Sequence, residues 1–222
     1  MLIIVSQTRY LPALRFRRLT SLYDPLIRRT TREALFKRRL LEQAALEPGQ
    51  RVLDLGCGTG TLAIAAKRLQ PKTEVAGLDA DREMLVQAER KAEEAGVEVR
   101  FDQGLSNQLP YQEGSFDRVL STLFFHHLTG EDKRLTLAEV ARVLKPSGEL
   151  HVADWGPPAD PLMRAVFLQV RLFDGWEQTR ANAAGALPDF FEEAGLADTV
   201  EHDRLRTAFG TLTLYSAKRS HD

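Results

Sequence analysis

The chain has 222 residues, enough for one domain with an appendage, and its 43% of apolar residues and net charge of −1 are ordinary for a protein with a real core. Its single cysteine, Cys57, excludes an internal disulfide and any multi-cysteine metal site, and no apolar run reaches the roughly 18 residues of a membrane span. The opening Met-Leu-Ile-Ile-Val is too short for a secretory signal and has no basic region before it, and Leu2 stands where myristoylation needs glycine, so a cytoplasmic protein is expected.

The charge is unevenly spread. Residues 1–39 hold ten Lys or Arg against only Asp24 and Glu33, so the remainder is acidic. Such a leader reads as a solvated helical arm, a targeting segment, or a basic face for peripheral contact with anionic lipid or nucleic acid. Thr30-x-x-Glu33 has the form of a capping box, which favours folded protein. Residues 9–47 read as helical, with Phe36, Leu40, Leu41, Ala44 and Ala45 at helical spacing. The expected division is a basic helical arm over 1–47 and a compact domain over 48–222.

From residue 51 to about 195, strand and helix patterns alternate, which argues for an α/β fold with a parallel sheet and helices on both faces. The first strand, 51–55, ends on Asp54-Leu55 and runs into Gly56-Cys57-Gly58-Thr59-Gly60. Glycine at 56, 58 and 60 admits backbone dihedrals closed to other residues and lets a ligand lie against the main chain. A dinucleotide fingerprint needs its third glycine one residue later and a pyrophosphate at the helix N-terminus. The shorter spacing, with an acid at Asp54, suits a cationic ligand better.

A helix is predicted over 60–70, ended by Pro71, then a strand over 74–79 that stops on Asp79, where a carboxylate can accept both hydroxyls of a ribose or cap the following helix. That helix, 81–95, ends at Gly96. Further strands are predicted at 97–102, 117–122 and 149–153, with a helix over 131–144 and a turn at Lys145-Pro146-Ser147-Gly148. Residues 155–185 read as an irregular region whose Leu162, Met163, Phe167, Val170, Phe173 and Trp176 suit an acceptor pocket or ordinary packing equally. Two stretches near 198–207 and 210–217, joined at Ala208-Phe209-Gly210, are expected to pair as an antiparallel hairpin at a sheet edge.

Val52-Leu-Asp-Leu-Gly-Cys-Gly-Thr-Gly60, Asp79, and the long match from Gly114-Ser-Phe-Asp-Arg-Val-Leu through Glu139-Val-Ala-Arg-Val-Leu-Lys-Pro-Ser-Gly148 together resemble the class I S-adenosylmethionine-dependent methyltransferases. The likeness covers roughly residues 48–154 and is strongest to the ubiquinone and menaquinone C-methyltransferase group. It implies a Rossmann-like, doubly wound, mainly parallel sheet of seven strands finished by the antiparallel hairpin, with the N-terminal helical piece as a lid over the cofactor. It implies S-adenosyl-L-methionine as cofactor, held by Asp54, Gly56, Gly58, Gly60, Asp79, Ala80, Met84, Leu105 and Ser121. Leu105 departs from the pattern, since the group commonly has an acid there to grip the adenine amino group; backbone around Leu105 and Ser106, or Asp102 or Gln103, would have to read adenine.

Nucleic-acid amino-methylation calls for an acid or Asn followed by Pro-Pro and an aromatic after the fourth strand, and here that strand runs into Leu123-Phe-Phe-His-His127. Cytosine C5 and arsenic methylation need cysteines the chain lacks, and no carboxylate cluster suggests a catechol-type magnesium site, so no metal is expected. A small acceptor, apolar or aromatic, remains. An acceptor that carries a proton wants a base near neutral pH, which suits histidine; His127, with Tyr23 closing from the arm and Asp154 at the end of the fifth strand, form the expected acceptor side. Two alternatives share the fold: an NAD-dependent oxidoreductase and a non-catalytic cofactor-binding regulator. The chain is expected to act as a monomer or homodimer.

Overall fold

The computed structural model describes residues 32–220. Tyr23, Asp24, Thr30 and most of the basic arm lie outside the described residues, as does the arm's proposed membrane contact.

Helix α1 (Glu33–Ala44) leads into β1 (Arg51–Leu55), α2 (Thr61–Leu69), β2 (Glu74–Asp79), α3 (Arg82–Ala95), β3 (Arg100–Gln103) and β4 (Phe116–Thr122). A 3-10 turn at Phe125–His127 precedes α4 (Gly130–Val143), β5 (Leu144–Trp155), α5 (Pro161–Asp174), α6 (Trp176–Ala184), α7 (Leu187–Glu193), β6 (Leu196–Arg206) and β7 (Thr211–Arg219). The strands form one seven-stranded sheet in the order β3-β2-β1-β4-β5-β7-β6. The first five strands are parallel, and β7 runs antiparallel between β5 and β6. The expected sheet and its terminal hairpin are both present.

The continuous apolar character of β1 and β2 follows from burial on both faces. On one face, α4 and α7 supply Leu137, Val140, Leu187, Phe190 and Phe191. On the other, α1, α2 and α5 supply Phe36, Leu40, Leu62, Ala66 and Phe167. Each of the Leu, Val and Phe side chains contributes about 1.5–3 kcal/mol on burial. Helix α1 is therefore part of the packed body, and the stretch proposed as an arm over 1–47 ends in a core helix. It starts at Glu33, behind Arg32 in the left-handed region with φ 59°, and the Glu33 carboxylate accepts hydrogen bonds from Lys37 and Thr61.

Three boundaries differ from expectation for identifiable reasons. The third strand starts at Arg100 and not at 97, because the Val97 N–H closes α3 by donating to the Ala92 carbonyl beyond Gly96. The Lys145–Gly148 turn is absorbed into β5 as a bulge, with Leu144 opposite Phe116 and Glu149 opposite Arg118. Residues 155–185 are not irregular: they form α5, whose Asp160 carboxylate accepts from the Met163 N–H ahead of Pro161, and α6. Met163, Phe167 and Val170 are buried in the core, while Leu162, Leu172 and Trp176 face solvent.

Candidate active site at the carboxyl ends of the strands

The chain leaves β1 toward β2 on one side and β4 toward β5 on the other, so the carboxyl ends of β1 and β4 flank the switch point where open α/β sheets bind ligands. The glycine loop follows β1, and residues 123–128 follow β4. Between them sits Phe124: its ring occupies the space beside Gly56, where an added Cβ would lie 2.4 Å from Phe124 Cδ2.

Each loop glycine has a positive φ, but their surroundings differ. A Cβ on Gly60 would lie 2.8 Å from Ala88 Cβ and 2.8 Å from Phe101 Cζ, so this glycine lets α2 close against α3 and β3. A Cβ on Gly58 would meet nothing within 4 Å. Gly60→Ala is expected to cost about 2–4 kcal/mol of stability, from the left-handed backbone and the overpacking together. Gly58→Ala should cost only about 1–2 kcal/mol, yet put a methyl into the open space where a ligand would lie. Denaturant midpoints and ligand titrations on the two variants separate the effects; equal stability losses would contradict this assignment.

Asp79 pins the loop. Its Oδ2 accepts from the Gly58 N–H at 2.8 Å and its Oδ1 from the Asp81 N–H at 2.9 Å. Burial holds this carboxyl above the usual carboxylate range despite those bonds. Both oxygens retain further acceptor capacity. Ala80 and Met84, beside it, are partly buried.

Asp54 lies in β1 and is 1% exposed. Its Oδ2 accepts from the Ala63 N–H in the first turn of α2 at 3.0 Å, while Oδ1 is buried without a hydrogen-bond partner among the described residues. Burial pushes its carboxyl up to about 7, even with Lys37 close by and opposing the shift. Lys37 donates to Glu33 at 2.6 Å and to Thr61, tying α1 to the end of the glycine loop.

Cys57 is buried, and its sulfur would lie 2.9 Å from a Cβ on Gly77. Burial pushes its thiol upward, so Cys57 serves as a small filler of the loop and not as a nucleophile.

The remaining residues expected around the cofactor are differently placed. Leu105 is 43% exposed, with its carbonyl accepting from Gln108 N–H. Asp102 accepts from Tyr111 at 2.9 Å and Arg100 at 2.8 Å, and Gln103 donates to the Ala80 carbonyl. Ser121 is fully buried, and its hydroxyl donates to the Leu55 carbonyl, bridging β4 to β1.

Beyond β4 the backbone takes a strained step, with Leu123 at φ 51°. It delivers Phe124 and His126 to Asp154. That carboxylate, 0% exposed, accepts from the Phe124 N–H at 3.1 Å, the His126 N–H at 3.3 Å, His126 Nδ1–H at 2.7 Å and the Trp155 N–H at 2.7 Å. Burial alone would raise its pKa, but His126 and these donors hold it below the usual range. The imidazole that Asp154 orients is thus His126 and not His127, whose ring packs tilted against it with centroids 3.9 Å apart.

His127 is about a third exposed. Burial and the neighbouring His126 keep its pKa below the ordinary histidine value, so it is neutral at physiological pH.

Two further groups join that side which sequence reading missed. Asp174, the last residue of α5, approaches both histidines at 3.6 Å. Lys133 on α4 is fully buried, donates to the Leu128 and Gln178 carbonyls, and is pushed down to about 8 by burial. Only the spacing of polar residues on an otherwise apolar α4 face hinted at Lys133; nothing local marks Asp174.

Residues 52–148 match a family described as a methyltransferase domain. The chain is 40% identical over 123 residues to a demethylmenaquinone methyltransferase of Thermus thermophilus, a match that covers 55% of each chain. It is 35% identical over 190 residues to that of Deinococcus radiodurans, covering 80% of this chain and 77% of the relative. Among solved structures, the YcgJ protein of Bacillus subtilis superposes with a TM-score of 0.69 at 23% identity, over 84% of this chain and 98% of that one. A putative O-methyltransferase from Nostoc punctiforme gives 0.73 at 21%, over 90% and 58%; at such identities these two speak for the fold. The oxidoreductase alternative finds no support in these relatives. With the matched methyltransferase domain and a relative 35% identical over most of both chains, the chain belongs to the class I S-adenosylmethionine-dependent methyltransferases.

Proposed function

We propose that this protein transfers the methyl group of S-adenosylmethionine to a small apolar or aromatic acceptor carrying an ionisable hydroxyl or enolisable carbon. The observation that carries this reading is the pairing of a cofactor crevice with the His126, His127, Asp154 and Asp174 cluster across Phe124. Two features of the crevice fit the family's cofactor: the orphaned Asp54 Oδ1, an acceptor for a cationic group, and the open space at Gly58. Asp79 would accept the ribose hydroxyls, with Gly56, Gly58, Gly60, Ala80, Met84 and the Leu105 backbone around the rest. When bound, the cofactor supplies an already activated methyl group.

The protein's part is positioning, which is worth up to about 10^5–10^8 M in effective molarity. Phe124, held by its N–H on Asp154, forms the wall between the two ligands. His127 is the proposed acceptor contact: a neutral imidazole can take a hydrogen bond, or the proton, from an acceptor hydroxyl. Asp154 is a positioning residue, acting through Phe124 and His126. Tyr23 is proposed to approach from the arm. The demethylmenaquinone named for two of the relatives suggests the acceptor class, since a flat apolar ring with oxygen substituents suits both an imidazole and an apolar wall.

The test is calorimetric titration with S-adenosylhomocysteine and, separately, NAD. Micromolar binding of the first with NAD silent is expected. Asp79→Ala is expected to weaken that binding by about 10^2–10^4-fold, from the loss of two charge-assisted hydrogen bonds of about 1.5–3 kcal/mol each. Turnover with a panel of phenols, quinols and amines then distinguishes an enzyme from a regulator that only binds. Binding of NAD alone would sink the reading.

A further inference from the structure

The cluster beside the crevice contains more than proton transfer requires. His126 Nδ1 is committed to Asp154 at 2.7 Å, which leaves Nε2 directed at Asp174 Oδ2, 3.6 Å away. His127 Nδ1 lies 3.6 Å from the other Asp174 oxygen. One ligand atom from each of the three residues falls within 4.8 Å of the other two. We propose that His126, His127 and Asp174 form a binding site for one divalent transition metal ion, with Zn2+ the best-matched species.

Three arguments support it. The first is geometric: bond lengths of about 2.0–2.1 Å in a tetrahedral zinc site place ligand atoms about 3.4 Å apart; here each histidine faces its own Asp174 oxygen at 3.6 Å, and a set of one atom per residue closes within 4.8 Å. The second is the chemistry of the set. Two imidazoles and one carboxylate suit zinc, and the partial exposure of His127 and Asp174 leaves a coordination position open to solvent or to an acceptor oxygen.

The third is the support behind it. A ligating histidine commonly donates its other ring N–H to a carboxylate, which fixes the tautomer with the free nitrogen toward the metal. Asp154 holds His126 in that way, and is itself fixed by three backbone N–H donors.

Lys133 is a buried amine beside the cluster. Its amine donates to the Leu128 and Gln178 carbonyls, so its protons point at those oxygens.

The site stands independently of the methyl-transfer reading, because it is tested by metal alone. The untagged, metal-stripped full chain is titrated with Zn2+ by calorimetry, and with Co2+ by visible absorption, where d–d bands report histidine ligation. One ion per chain is expected at micromolar affinity or tighter. Asp174→Asn and His127→Gln should each weaken it at least about tenfold, while both variants still bind S-adenosylhomocysteine and so remain folded. No stoichiometric binding by the unmodified chain, or binding that both variants keep in full, overturns the proposal. In either case retained S-adenosylhomocysteine binding leaves the methyltransferase reading in place, and its loss in the unmodified chain counts against that reading alone.

Discussion

Asp154→Ala is expected to destabilise the protein by about 3–5 kcal/mol, the range for removing one partner of a buried charged pair. The size follows from the number of groups that depend on one carboxylate. It accepts from three backbone N–H groups and from His126 Nδ1, and each donor left unpaired in a buried setting costs about 1–3 kcal/mol. The loss is below the simple sum because water can enter the vacated space and Leu123 can relax from its strained φ of 51°. For a domain of this size the melting temperature should fall by roughly 10 °C. Asp154→Asn, which keeps one acceptor oxygen, should lose less. Since Phe124 is held by the same carboxylate, both variants should also lose turnover more than they lose S-adenosylhomocysteine binding. Thermal denaturation with matched cofactor titrations checks this, and a stability loss under about 1 kcal/mol for the alanine variant would show that Asp154 does not organise the site.

How much of this could be read in the sequence depends on how far apart the cooperating residues are. The crevice is local: Asp54, the three glycines and the start of α2 lie within ten residues, and the alternation of strand and helix sets the parallel order. The final hairpin was legible because its strands flank one short turn, closed by Thr207 and Gly210. Residues 155–185 were misread because exposed Leu162, Leu172 and Trp176 blur the helical period of buried Met163, Phe167 and Val170. The acceptor side is a tertiary assembly. His126 and His127 are adjacent in the chain, so sequence cannot say which of them meets Asp154; the 3-10 turn decides it by bringing the His126 N–H and ring to that carboxylate. Asp174 arrives from the far end of α5, and its meeting with the histidines depends on how that helix packs on the sheet. Likewise the three glycines look equivalent in the motif, and only the neighbours of each separate a packing glycine from a ligand-facing one.

The pH dependence of cofactor binding should trace to Asp54. In the ligand-free protein its carboxyl titrates at about 7, against an ordinary value of 3.8, because burial disfavours the charge. Between those two values the unfolded chain has released a proton that the folded protein still holds, so this group's contribution to stability falls as pH rises from about 4 to 7 and is flat above that. Asp54→Asn removes the titrating charge. It should therefore stabilise the ligand-free protein at pH 8 by about 2 kcal/mol, less than the full shift would suggest because the amide also lacks a partner at the Oδ1 position. The gain should shrink toward zero near pH 4. A cationic ligand group beside Oδ1 reverses the balance by favouring the ionised form. Binding of S-adenosylmethionine near pH 7 should then release about half a proton per site, falling to none by pH 9, and Asp54→Asn should weaken it by about 10–100-fold. Calorimetry in two buffers of different ionisation enthalpy measures the proton directly. Equal heats in both buffers at pH 7, with affinity unchanged in the variant, would mean that Asp54 shapes the strand end and does not meet the ligand's charge.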